Sequence, residues 1–256
     1  MAEQSSKYGQ AWTREELILA FDLYCRIPFK QTKASNRSVQ ELAQILGRTP
    51  AAVARKLGNF GAFDPELRKR GISGLVHASK LDKQIWNEFD EDWNGLVLEA
   101  HRLRRKRIRD IPEAVQLVRP EGPSERSAEV KIRIHQAFFR EAVMSSYNAT
   151  CCITGLEVPE CLVASHIIPW SCDERKRTDP TNGLCLSATF DRLFDRGLLS
   201  ITEEMTVKIS KRLLDSMSGA VQSLIVPFHG REIILPNRFF PSPENLRWHM
   251  GNVFQA

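Results

Sequence analysis

Residues 152–200 read CITGLEVPECLVASHIIPWSCDERKRTDPTNGLCLSATFDRLFDRGLLS, and this stretch decides how the rest of the chain is read. It brings together one imidazole (His166), one side-chain amide (Asn182) and two carboxylates (Asp191 and Asp195). The carboxylates stand four residues apart, between Ser187 and Thr189 on one side and Gly197 on the other, which predicts a short helix with both on one face. The helix dipole favours Asp191 near the start and disfavours Asp195 near the end, so Asp195 requires a cation or an arginine. Leu162, Val163, Ala164, Ile167 and Ile168 surround His166 with the apolar pattern of a hairpin arm that stops at Pro169. His166 is thereby expected at the strand end, beside the helix. TNG around Asn182 is turn chemistry in its own right.

A strand, strand, helix unit carrying His, then Asn, then an acidic helix resembles the HNH endonucleases, whose core is the ββα-metal fold. The resemblance covers roughly residues 131–256. It is carried by Cys152, Thr154, Gly155, Ser165, His166, Pro169, Trp170, Asn182, Gly183, Asp191, Phe194, Asp195 and Gly197. It implies a catalytic His166 as general base, with an unperturbed pKa near 6.5 that suits neutral pH. It implies that Asn182 ties the hairpin loop and orients the histidine strand, that Asp191 is a metal ligand, and that Asp195 adds a further one. Ser165 occupies a position that in relatives is often Asp or His, and would act on the metal directly or through water. Carboxylate in place of imidazole on the helix favours Mg²⁺ or Mn²⁺ over Zn²⁺. Relatives often carry a CxxC zinc knuckle; the six cysteines here contain no CxxC pair, and no structural zinc is expected.

The 256 residues suffice for two modest domains, and 42% hydrophobic residues can build their cores. No apolar run approaches a membrane span, and MAEQSSKYGQ has neither a hydrophobic signal core nor a cleavage site, so a cytoplasmic protein with no membrane partner is expected. The net charge is +5, and the basic residues are uneven: six of the eight residues from Arg102 to Arg109 are Arg or Lys. Such a run binds polyanions by counterion release, or simply solvates a helix end.

Residues 8–102 read as a separate helical domain. WTREELILAFDLY opens with Thr13 and Glu16 placed for a capping box. NRSVQELAQILGRTPAAVARKLGNF is organised as a helix-turn-helix, with a turn at Gly47 and a second helix started by Thr49 and Pro50. It also resembles Myb or SANT-type modules. Arg48, Arg55, Lys56 and Asn59 are the expected DNA-facing residues of the second helix. Trp86, Phe89 and Trp93 recur at helical spacing and predict a core stripe. Residues 103–130, basic and then Pro-rich, read as a linker whose Arg104, Arg105, Lys106 and Arg107 are candidate DNA contacts. Within 131–256, the nuclease domain, His135 is expected at the surface and His249 in a packed terminal helix.

The expectation is therefore an α+β protein: an N-terminal helical (helix-turn-helix or SANT-like) domain and a C-terminal ββα-metal HNH nuclease that cuts double-stranded DNA. By architecture it is similar to restriction and phage-defence enzymes, including those that act on modified DNA. A double-strand break implies a homodimer or two successive nicks. A DNA-binding protein with a decayed nuclease site, and an RNA-directed nuclease or toxin, are the alternatives.

Overall fold

The computed structural model describes residues 7, 9–72, 78–109 and 124–256, which divide into two units, 1–142 and 143–256. No helix among the described residues is long and apolar enough to cross a membrane.

The first unit is helical and built around α1 (Arg14–Arg26). Thr13 and Glu16 close the capping box at its start. Every residue from Glu16 to Cys25 is buried, so this helix is apolar nearly all round and sits inside a shell of others. Phe21 carries the aromatic centre, with ring centroids 5.0 Å from Phe60, 5.2 Å from Trp86 and 6.3 Å from Trp93. Around it lie α2 (Arg37–Leu46), α3 (Pro50–Gly61), the short α4 (Pro65–Lys69), α5 (Lys80–Phe89) and α6 (Trp93–Arg109). The α2 to α3 connection is the expected helix-turn-helix. Gly47 stands at φ 65° as the left-handed cap, Thr49 accepts from the Ala52 amide, and Pro50 opens α3 where a missing N–H costs nothing. The aromatic stripe of Trp86, Phe89 and Trp93 is core.

Two readings of the middle of the chain change. Arg104–Arg107 are not in an extended linker but continue α6, because Arg and Lys are good helix formers when their charges find partners. The next helix, α7 (Ser124–Ser146), begins within the stretch read as linker, and the boundary between the units falls inside it. Residues 110–123 of that linker lie outside the described residues. His135, expected at the surface, is buried.

The second unit is α+β. After the turn at 151–155, strand β1 (Leu162–His166) pairs antiparallel with β2 (Gly183–Ser187), setting His166 opposite Gly183 and Ser165 opposite Leu184. β2 is buried along its whole length and runs straight into α8 (Ala188–Asp195) through Ser187. The turn is fastened to β2: the Cys152 amide donates to the Cys185 carbonyl, and the Ser187 amide donates to Cys151 Sγ. A second hairpin, β3 (Leu199–Ile201) with β4 (Val207–Ile209), follows α8. The segment after it forms two short helices, α9 (Lys211–Leu214) and α10 (Gly219–Leu224), parted by Asp215–Ser218. GREIILP contributes an isolated antiparallel bridge, Glu232 to Thr206. α11 (Pro243–Asn252) packs Leu246 and His249 inward.

Candidate active site

The ββα unit places His166 at the last position of β1 and starts α8 directly after the strand paired with it. The loop between the strands is closed by Asn182, which is fully buried. Its Oδ1 accepts from the Ile168 amide at 2.8 Å, and its Nδ2 donates to the Ile168 carbonyl at 3.0 Å and the Lys176 carbonyl at 3.2 Å. Both ends of the amide are used on backbone, so Asn182 holds the loop and offers nothing to a substrate. Asp179 prepares this turn by accepting from the Thr181 amide and hydroxyl at 2.9 and 2.7 Å.

His166 is half-buried, with Nε2 3.1 Å from the carbonyl oxygen of Arg177. A carbonyl only accepts, so Nε2 carries the proton and Nδ1 is the basic nitrogen. Burial holds the imidazole pKa below its ordinary value, partly offset by the Arg177 carbonyl. The ring meets the edge of Trp170, centroids 5.7 Å apart, and Trp170 in turn lies under the Arg177 guanidinium at 5.1 Å. Arg177 Nε donates to the Trp170 carbonyl at 3.0 Å. Sequence reasoning missed Arg177, because what it gives His166 is a backbone oxygen that no side-chain pattern encodes.

On α8, Phe190 and Phe194 are buried, which turns Asp191 and Asp195 toward the neighbouring face. Burial raises the Asp191 pKa, against the Ser165 hydroxyl and Arg192, which lower it. Partial enclosure and the charge of Asp191 raise that of Asp195, against Arg192 and Arg196. Asp195 is exposed to solvent, so the repulsion from Asp191 is the cause to which we give weight. Ser165 Oγ is buried, close enough to Asp191 to bear on its charge, yet it makes no hydrogen bond of good geometry.

Two mutually repelling carboxylates beside an unsatisfied buried hydroxyl suit a hard divalent cation. Among the described residues, no group of three or more His, Cys, Asp or Glu is arranged to hold a metal. An ion of the Mg²⁺ type takes one or two carboxylates and completes its shell with water and phosphate oxygens, so two carboxylates would suffice to hold one.

The expected DNA-facing residues of the first unit divide. Arg48, Lys56 and Asn59 are interior rather than exposed. Arg48, its side chain 5% accessible, pairs with Glu16 at 2.6 Å and donates to the Gln10 and Ala11 carbonyls. Lys56, 10% accessible, pairs with buried Asp82 at 2.9 Å, and Asn59 donates to the same carboxylate at 3.2 Å. Glu16 and Asp82 are buried anions that must be paired, and this requirement draws the cations inward. Burial pushes the Glu16 pKa up, but Arg48, Lys7 and the Thr13 amide more than offset it. On α6, Arg104 pairs with Asp22 at 3.3 Å, and Lys106 and Arg107 with Glu15 at 3.6 and 3.3 Å. Arg55 and Arg105 are exposed.

His249 is buried, with Nε2 donating to the Phe194 carbonyl at 3.2 Å and Nδ1 accepting from Ser200 Oγ at 2.8 Å. Burial drives its pKa down to about 4, the Phe194 carbonyl acting weakly against this.

No curated protein matches the chain. The turn at 151–155, β1, β2, α8 and β3 all lie within residues 151–202, and this segment matches a family model described as HNH endonuclease.

Proposed function

We propose that the second unit hydrolyses DNA phosphodiester bonds with Mg²⁺ or Mn²⁺. The observation that carries this is the contact of His166 Nε2 with the Arg177 carbonyl at 3.1 Å, which makes Nδ1 the basic nitrogen, and burial lowers the tendency of the ring to protonate. His166 Nδ1 takes a proton from water as the water oxygen bonds to phosphorus; the bond from phosphorus to the 3′ oxygen breaks, and solvent protonates that oxygen. Asn182 is a positioning residue that holds the loop bearing Arg177. Asp191 and Asp195, with Ser165 directly or through water, hold the divalent ion. When bound, the ion supplies charge stabilisation at the phosphate and the departing oxygen.

The first unit holds duplex DNA through phosphate contacts from Arg55 and Arg105. A helical reading unit joined to a nuclease resembles the design of restriction and phage-defence enzymes, and we extend the proposal to cytoplasmic cleavage of foreign, including modified, DNA. Because one such site cuts one strand, double-strand cleavage requires two copies or two events.

The test is conversion of supercoiled plasmid and of modified phage DNA to nicked or linear forms, with Mg²⁺, Mn²⁺ or chelator, and with RNA as competitor. Divalent-dependent cutting of DNA supports the proposal; preferential cutting of RNA overturns the choice of substrate. Metal-independent DNA binding with no cleavage in any ion establishes the reading that two carboxylates and a serine leave a decayed site.

A further inference from the structure

The end of α8 is held from outside. The last carbonyls of an eight-residue helix have no partner within it; the chain itself caps three of them here, Arg196 donating to Arg192 O, Leu198 to Leu193 O and Gly197 to Phe194 O, and Asp195 sits at this end. Three donors from α11 and the residues after it reach the carbonyls here. His249 Nε2 donates to Phe194 O at 3.2 Å, Gln255 Nε2 to Arg196 O at 3.0 Å, and the Gln255 amide to Gly197 O at 2.8 Å. The His249 ring also lies flat on Phe194, centroids 3.7 Å apart and planes within 9°. Ser200 Oγ fixes the opposite ring nitrogen at 2.8 Å. At Gly197, φ 65°, a Cβ would run into the Val253 carbonyl, so the approach of the two segments is as close as backbone permits.

We infer that His249 and Gln255 are positioning residues for the metal site, fastening the last turn of α8 so that Asp195 stays at the separation from Asp191 that a divalent cation requires. The inference rests on the proposed role of the two carboxylates. Two carboxylates four residues apart on one helix face repel when no cation is bound, and a short helix that frays at its end would let Asp195 move away. One bond to the Phe194 carbonyl of α8, two to the Arg196 and Gly197 carbonyls just past it, and a flat ring contact oppose that movement. The donors bond backbone carbonyls, His249 being held besides by Ser200 and stacked on Phe194, so they act through the helix and not on the ion.

The experiment is calorimetric titration of the full chain with Mn²⁺ in the absence of DNA. Four variants are compared with the wild type: His249→Phe, which keeps a flat ring and removes both hydrogen bonds; Gln255→Ala, at an exposed position; Asp191→Asn; and Val207→Ala. The last opens a cavity in β4 and serves as a control for lost stability without loss of the clamp. Removal of outer-shell support typically weakens metal binding by about tenfold or more. We expect a loss of about that size for His249→Phe, a smaller one for Gln255→Ala, and wild-type affinity for Val207→Ala. Should His249→Phe fail to fold, Gln255→Ala decides alone. If Asp191→Asn weakens Mn²⁺ binding while both clamp variants bind as wild type, or if Val207→Ala weakens it equally, the inference is wrong and the metal site stands. If Asp191→Asn binds Mn²⁺ like wild type, or the wild type binds none, the carboxylates are not the metal site and both fall.

Discussion

His166 donates from Nε2 to the main-chain carbonyl of Arg177, eleven residues further on, across a loop that Asn182 ties shut. This bond selects the nitrogen that can accept a proton, and the burial around the ring keeps that nitrogen unprotonated. A pH profile follows. The proposed base, His166, would work only when neutral, and its folded pKa lies below the ordinary 6.5. At saturating divalent ion, the rate should be flat near neutrality and fall with unit slope as pH drops through a midpoint below 6.5. A midpoint above 6.5 would show that the imidazole is not the group being titrated.

Asp191 and Asp195 raise one another's cost of ionisation, and a test without catalysis is available. Replacing Asp191 by Asn removes the negative charge that helps hold the Asp195 pKa up. The Asp195 carboxyl should then titrate at lower pH, as followed by carboxyl NMR of the metal-free protein. An unchanged Asp195 titration would place the two groups too far apart to share an ion.

Acid stability should report His249. Its folded pKa is about 4 against 6.5 for an ordinary histidine, so between these values the unfolded chain binds more protons than the native one. The stability contributed by the neutral ring is complete above pH 6.5 and is lost as pH falls toward 4. By the usual conversion the loss is about 3 kcal/mol. Urea unfolding at pH 7 and pH 4.5 should show a drop that shrinks in His249→Phe; an identical drop in the variant would assign the acid sensitivity to other groups.

Lys56 and Arg55 are neighbours on α3 with opposite assignments. Lys56→Ala leaves Asp82 buried without its cation and should destabilise the first unit by about 3 kcal/mol, seen as a lower urea midpoint. The folded variant should bind DNA with the wild-type salt dependence. Arg55→Ala should do the reverse, leaving stability within about 0.5 kcal/mol and lowering the slope of log affinity against log salt by about one. A salt slope changed by Lys56→Ala and not by Arg55→Ala would exchange the two roles.

The local architecture was readable from the sequence where short-range chemistry determines it. The box of Thr13 and Glu16, the Gly47, Thr49 and Pro50 turn, and the passage from β2 into α8 are all written within a few residues. Charged residues were misplaced where a distant partner decides. Lys56 turns inward toward Asp82, 26 residues away, and Arg48 toward Glu16, 32 residues away, and a helical-face reading sends such cations to solvent by default. For the same reason Arg104–Arg107 look like a solvated linker until Asp22 and Glu15 of α1 are seen beside them. In the candidate site, His166, Asn182 and the two aspartates stand out in the sequence by type and spacing, whereas Arg177 meets His166 through a carbonyl and His249 meets α8 through the Phe194 carbonyl.

The most direct measurement compares the wild type and His166→Ala side by side, following nicking of supercoiled plasmid in Mg²⁺ and in Mn²⁺ together with DNA affinity in chelator. The account predicts divalent-dependent nicking by the wild type, none above background by His166→Ala, and equal affinity for DNA. Undiminished nicking by His166→Ala would contradict it, because His166 is the base on which the proposed mechanism rests.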